Sequence, residues 1–505
     1  MKKFIVSSLI GFLILTFGAV SYAIDFKMSG FIDVSGQWGS NIFQPPYEVT
    51  GNMWGGRTAT GATFTNGAGP LSNAIDHTRA WAEERARLRF DAIADKNLQG
   101  TLYFEIDSTR WGEPSGDRNR AGYWGADRSA FEVKNAYITF GVPWIPVPIT
   151  MNVGIQPLAQ RPGILVYNDG PGVTAGIKVD PAMIKLFWYK PVENQDYSGD
   201  DNDVYGIDVS AKIQTISVGG YVMHYNMNSY PQTSATTSAP TNRADITWFG
   251  LYAGGKVGPV NLSFDFAYDN GKVEDRRNAL GPFLARDIDY SGWAILAKVD
   301  YPWEKLNFGA TFIYGTGSDA NKTNQSGVQD GSLTANGTIP KEVKGYVVPP
   351  GAEVGDDVSL LFFGVGPAGL NRGITGMLGS SGTTLNPGQA GGAWAIGPRI
   401  SYQVTPAYKA EFRALYIGDT TKHGNTVASP LKNPLIPALG YQDDSEIGIE
   451  VNLMNYFKIY KNLLLNVGLA YLFAGDGMDY YDSATGLNKS PDDPWLVCTR
   501  LVYLF

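Results

Sequence analysis

One cysteine, Cys498, stands in a chain of 505 residues, so no internal disulfide can brace the fold. Histidine is almost as scarce. His77, His224 and His423 are scattered, and none sits beside a serine, cysteine or acid in a nucleophile pattern. No Walker loop, CxxC pair or HExxH sequence occurs. An enzyme is therefore not expected, nor a cofactor or a metal. Asp196, Asp200, Asp201 and Asp203 crowd one connection, but their spacing matches no calcium cage and reads as a solvated acidic loop. Basic excess is missing too: 40 Lys and Arg stand against 48 Asp and Glu, which excludes a nucleic-acid partner. After residue 23 no run is apolar enough for a spanning helix, which needs ~20 such residues.

The single long apolar run is at the start. Lys2 and Lys3 precede Phe4 to Val20, and Ser21-Tyr22-Ala23 places small residues at a cleavage site, which reads as a secretory signal over residues 1–23. Residues 24–505 then form one exported domain.

Within that domain helical periodicity is nearly absent and two-residue alternation is everywhere. Strands are predicted over 26–38, 82–94, 98–109, 130–141, 148–156, 172–180, 183–190, 203–213, 216–227, 245–257, 260–270, 287–300, 304–316, 390–404, 406–419, 443–456, 461–474 and 495–505. Connections alternate short and long along these runs. The short ones carry Pro, Gly or Asp, and the longest covers about 317–389. This is the pattern of a transmembrane antiparallel β-barrel with short periplasmic turns and long extracellular loops. A soluble sandwich would not sort its loops so regularly. Eighteen strands fit best, and sixteen remain open because 148–156 is short and flanked by proline. Aromatic residues near strand ends, among them Trp38, Trp111, Tyr221, Trp248, Tyr290, Trp303, Tyr402, Tyr416 and Trp495, suggest two interfacial girdles. The chain ends WLVCTRLVYLF, with Tyr503 and the terminal Phe505 on one alternating face, resembling the signal read by the barrel-assembly machinery.

In a barrel the polar faces become a lumen wall, because a charge on the lipid face costs ~2–4 kcal/mol at the midplane. Arg85, Arg87 and Arg89 alternate with Ala86, Leu88 and Phe90, and the return strand offers Glu105 and Asp107. Asp265, Glu446 and Glu450 supply inward carboxylates on other strands. The connection 157–171 is the candidate constriction. Ile164, Leu165 and Val166 would be buried if it folded inward, carrying Arg161 and Asp169 into the lumen; packing on a neighbouring subunit is the other reading. Within 317–389 the apolar segment Val358 to Val365 suggests a hairpin over the mouth or inside.

The segments ARLRFDAIADKNLQGTLYFEIDSTRWG, FEVKNAYITFGVP, MNVGIQPLA and IKLFWYKP resemble the homotrimeric outer-membrane porins of sulfate-reducing and related deltaproteobacteria. The matching positions are Arg87, Phe90, Asn97, Leu98, Gly100, Tyr103, Phe104, Glu105, Ile106, Trp111, Gly112 and Gly154 to Ala159, within roughly residues 80–215. The resemblance implies a homotrimer in the outer membrane, in contact with its lipid and lipopolysaccharide, that passes small hydrophilic solutes passively. A substrate-selective channel for an oligosaccharide or organic acid is the alternative, and a structural or adhesive barrel closed by its loops is a third.

Overall fold

The computed structural model of the chain describes residues 24–41, 78–112, 131–193, 199–231, 242–275, 287–319, 322, 341–355, 357–364, 384–422, 444–478, 480–482, 487–490 and 492–505. The leader 1–23, His77, Asp196, Val365 and His423 lie outside the described residues, as does the side chain of Asp107.

Eighteen strands form one ring: β1 (Asp25–Ser40), β2 (Arg79–Asp95), β3 (Leu98–Arg110), β4 (Glu132–Gly141), β5 (Ile149–Gln160), β6 (Val166–Val179), β7 (Ala182–Val192), β8 (Asn202–Ile213), β9 (Ile216–Tyr230), β10 (Asn242–Val257), β11 (Val260–Asp275), β12 (Ile288–Trp303), β13 (Leu306–Gly315), β14 (Ala393–Thr405), β15 (Tyr408–Asp419), β16 (Glu446–Tyr460), β17 (Leu463–Ala474) and β18 (Trp495–Leu504). Each pairs antiparallel with its neighbours in sequence, and β18 returns to β1 from Ser40↔Trp495 to Phe31↔Leu504. The Phe505 amide and the Gly30 amide exchange hydrogen bonds with each other's carbonyls at the seam. Joining the last strand to the first closes the sheet on itself, the condition for burying strands in hydrocarbon. The count is eighteen because β5 is a full strand through Gln160.

Alternation sorts the side chains. On β15, Glu411 and Arg413 are buried inside while Phe412 is 48% exposed outside. Leu251 at 61% and Ile138 at 53% belong to the same outer surface. So much exposed apolar area would drive aggregation in water and is matched by lipid. Aromatic rings mark its borders: Trp293 stacks on Tyr314 at 4.7 Å and Trp394 lies tilted against Tyr416 at 5.5 Å toward the long loops, and Tyr301, Trp303, Tyr402 and Tyr460 are exposed toward the short turns. Three residues expected in these girdles are elsewhere. Tyr221, Trp248 and Tyr290 face the interior and are buried, because alternation sets Trp248 between Met223 of β9 and Asp269 of β11 on the inner face.

The interior is therefore not simply polar. Among the described residues, two parts of the chain enter it and bury the inner apolar faces of β7–β12 and β14–β18. The first is the end of the β5–β6 hairpin. Its connection is only residues 161–165, not 157–171, because both strands run on past their neighbours. The second is the β13–β14 connection, where Tyr346, Val347, Val348, Val358 and Leu360 to Phe363 are buried.

Candidate functional site: the lumen and its inserted segments

The charged wall begins on β2. Arg87 stands opposite Glu105 of β3, and its Nε donates to Glu105 Oε1 at 2.7 Å. Arg85 Nε lies 3.1 Å from the same oxygen, and Lys134 Nζ lies 3.3 Å from Oε2. One carboxylate thus faces three cations, in a place where a pair inside the barrel is screened less than a surface pair. Arg89 turns away toward the short-turn end and pairs with Asp91 at 2.9 Å. Next to β1, Arg500 of β18 bonds the fully buried Asp33 at 2.7 Å.

Lys134 is missing from the expected set. Strict alternation through Glu132–Gly141 puts it on the outer face with Ala136 and Ile138. The register slips between Phe104↔Val133 and Tyr103↔Asn135, so this bulge turns both Lys134 and Asn135 inward. Both then reach Asp169, Lys134 Nζ at 2.6 Å and Asn135 Nδ2 at 2.7 Å.

Asp169 is there because the hairpin bends. β4 pairs with β5 only as far as Ile155. At the bend Gly154 has φ +130°, and a Cβ would lie 2.3 Å from the Ala136 carbonyl oxygen, so glycine is required. Beyond it, Leu158, Ile164, Leu165 and Val166 are buried against the inner wall. The tip reaches strands far from its own base. Arg161 ion-pairs with Asp265 of β11 and lies 4.3 Å above the Tyr252 ring of β10. Gln160 Nε2 and the Tyr252 hydroxyl both donate to Asp208 of β8. Burial pulls the Arg161 pKa down, and its bond to Asp265 outweighs this, so the guanidinium ends above its usual value.

The β13–β14 connection crosses the same space. The Tyr346 hydroxyl donates to the Ile164 carbonyl at 2.7 Å, and complete burial holds that hydroxyl far above its usual pKa. Trp248 Nε1 donates to the Val347 carbonyl, and the Val347 amide donates to Asp269. Asn168 Nδ2 bonds the Gly351 carbonyl, and the Glu353 and Gly355 amides bond the Tyr167 and Pro162 carbonyls. The chain then meets the far wall at Arg413 of β15 and Glu450 of β16.

Two carboxylates expected on the wall are placed differently. Glu450 is fully buried beneath residues 359–363 and does not face water. Glu446 does not share its face. The register slips between Ile417↔Gly448 and Gly418↔Glu446, and Gly448 takes φ +136°. The bulge leaves Glu446 exposed and buries Ile447. Toward the seam, Tyr503 and Phe505 are exposed on the outer face with ring centroids 5.8 Å apart, and Cys498 is buried on the inner face. His224 is hydrogen-bonded to Thr247 of β10. The described acidic-loop residues Asp201 and Asp203 bond Lys190 and the Trp188 indole.

No family model matches the sequence, and no curated protein does. Solved structures with a similar fold include OpdQ of Pseudomonas aeruginosa (TM-score 0.47, 11% identity, 95% of this chain and 98% of that one). The outer membrane protein opdK of the same organism gives 0.45 at 9% identity, over 95% and 98% of the two chains. OmpT, an outer membrane protein of Vibrio cholerae in its trimer form, gives 0.38 at 10% identity, over 96% and 100%.

Proposed function

We propose that this protein is an outer-membrane porin, through which small hydrophilic solutes and ions diffuse passively. The observation that carries the reading is a closed eighteen-strand ring, apolar and aromatic-bordered outside, with accessible charge inside. Although they lie within the ring, the side chains of Arg89 and Arg161 keep 38% and 31% of their surface exposed. Charge that is both enclosed and wetted needs a water-filled interior, which rings of this size hold. In this reading Arg85, Arg87, Arg89, Glu105, Arg161, Asp169 and Asp265 line or narrow the path, and Lys134 joins them. Glu450 acts beneath the lining.

A second reading, a channel selective for a class of solute, is favoured by the two inserted segments, since each narrows the same lumen from a different side. The assembly we infer is a homotrimer, exported by the leader at 1–23 and inserted through the terminal strand ending in Phe505. Its lipid-facing surface would meet phospholipid and lipopolysaccharide.

Single-channel recording in planar bilayers tests this. Steady ohmic current supports the diffusion pore, current blocked by one class of solute supports the selective channel, and absence of current from folded protein rejects both.

A further inference from the structure

The stretch Ser359–Phe363 is buried in the barrel without being part of any strand. Its amides are therefore without ladder partners, and buried amides must find acceptors. One wall side chain meets most of that demand. Glu450 Oε1 accepts from the Leu360 and Leu361 amides at 3.1 and 2.8 Å, and Oε2 accepts from the Phe362 amide at 2.9 Å and the Ser359 hydroxyl at 2.8 Å. Asn452 donates to the same carboxylate at 2.7 Å and accepts from the Leu360 amide. Three consecutive amides converging on one anion form a nest, with a carboxylate of the wall as its guest. Arg413 fastens the entry to this stretch through the Asp357 carboxylate and the carbonyls of Asp357 and Val358. By contrast, the ladder of β16 to β15 and β17 runs through the backbone at Leu415↔Glu450↔Leu472 and does not involve the Glu450 side chain.

We propose that Glu450 is the positioning residue for the inner constriction: its carboxylate seats residues 359–362 in the lumen, and the bore of the channel depends on that seating. The inference rests on the channel reading, but the seating can be read without any current. The physical asymmetry is sharp. A glutamine at 450 has one acceptor oxygen and an amide donor in place of the second, so part of the nest would face a donor. A buried donor left without an acceptor favours the state in which water reaches it. The barrel ladder loses nothing, so the segment should leave its seat while the barrel persists. Asn452 and Arg413 hold the segment at its edges and cannot replace a single acceptor shared by three amides.

The test uses the full-length folded protein with its one cysteine removed by Cys498→Ala and a reporter introduced by Leu361→Cys, a position only 1% exposed. Labelling with a charged maleimide reports how often residue 361 meets water. We expect Glu450→Gln to raise the labelling rate by about tenfold or more, and Glu450→Asp, which keeps both acceptor oxygens, to restore much of the protection. Heat-modifiable gel mobility should stay that of a folded barrel. Should Glu450→Gln fail to fold, Asp357→Asn loosens the same stretch from outside the strands and should raise labelling as well. In bilayers the Glu450→Gln protein should conduct more than the parent. Unchanged labelling in the folded variants overturns the proposal. Raised labelling without any current in variant or parent upholds the seating and rejects the channel instead.

Discussion

Arg85, Arg87 and Lys134 share Glu105, and that imbalance makes single substitutions informative. Removing Arg85, Arg87 and Arg89 together by alanine should move the reversal potential in a KCl gradient toward cation preference, if these side chains line the path. Glu105→Gln should move it the other way, because three cations lose their common partner. It should also destabilise the barrel, because Arg85, Arg87 and Lys134 lose their shared partner. Reversal potentials unchanged in both variants would remove the charged wall from the permeation path. Lys134 shows why such residues are hard to read from a sequence. Its neighbours Asn135, Tyr137 and Thr139 fit one face of an alternating strand, and the bulge that turns Lys134 inward with Asn135 depends on the register of β3 against β4.

The decisive element is the β5–β6 hairpin. Its apolar tip, Ile164-Leu165-Val166, is visible in the sequence as a stretch a solvated loop would not need, which leaves inward folding or packing on a neighbouring subunit; the structure folds it inward. Its true length was not visible, because strand continuation through Gln160 and from Val166 depends on pairing beyond the neighbouring strands. The bend at Gly154 can be tested directly. Gly154→Ala puts a methyl group against the Ala136 carbonyl at a positive φ, and strain of this kind costs on the order of 1–3 kcal/mol. The heat-modifiability transition of the barrel should fall to lower temperature, whereas Gly100→Ala, with no atom near its built Cβ and no positive φ, should shift it much less. At the other end of the chain, Phe505 closes the seam by exchanging backbone hydrogen bonds with Gly30. Deleting Phe505 removes both bonds and the last outward ring. Reduced yield of heat-modifiable protein in the outer-membrane fraction is the expected outcome, and normal yield would deny the terminal residue a role in assembly.

For the molecule as a whole, the ring and its contents are separable. The ring is held by backbone ladders between sequence neighbours and by the β1–β18 seam. The contents are held by side chains from distant strands: Trp248 and Asp269 at Val347, Tyr346 at Ile164, Glu450 at 360–362. Replacing residues 341–392 by a short Gly/Ser turn should leave a folded barrel with markedly larger conductance. It also strips the cover from buried inner residues such as Trp248 and Tyr290, so tryptophan emission should shift to the red as Trp248 meets water. A barrel that fails to form without the segment would show that the contents are part of the fold.

The sequence by itself determined the strands and the ring and left the count at eighteen or sixteen, which the full length of β5 decided. Two-residue alternation and turn chemistry act between near neighbours, so they can be read locally, and β1 to β18 lie where the alternating runs lie. It also marked the residues of the charged hairpin, since Arg87 and Glu105 are paired by a turn only a few residues away. Alternation gives two faces without saying what either face meets. An inward tryptophan such as Trp248 and an outward one such as Trp293 look the same along a strand. The tertiary structure decided which inner faces meet inserted chain and which meet water, because that depends on segments more than a hundred residues apart in some cases. Thus Glu450, one of the wall carboxylates in the alternating pattern, became the buried acceptor beneath residues 359–362. Glu446, two turns of the same pattern away, was displaced from that face by a single bulge.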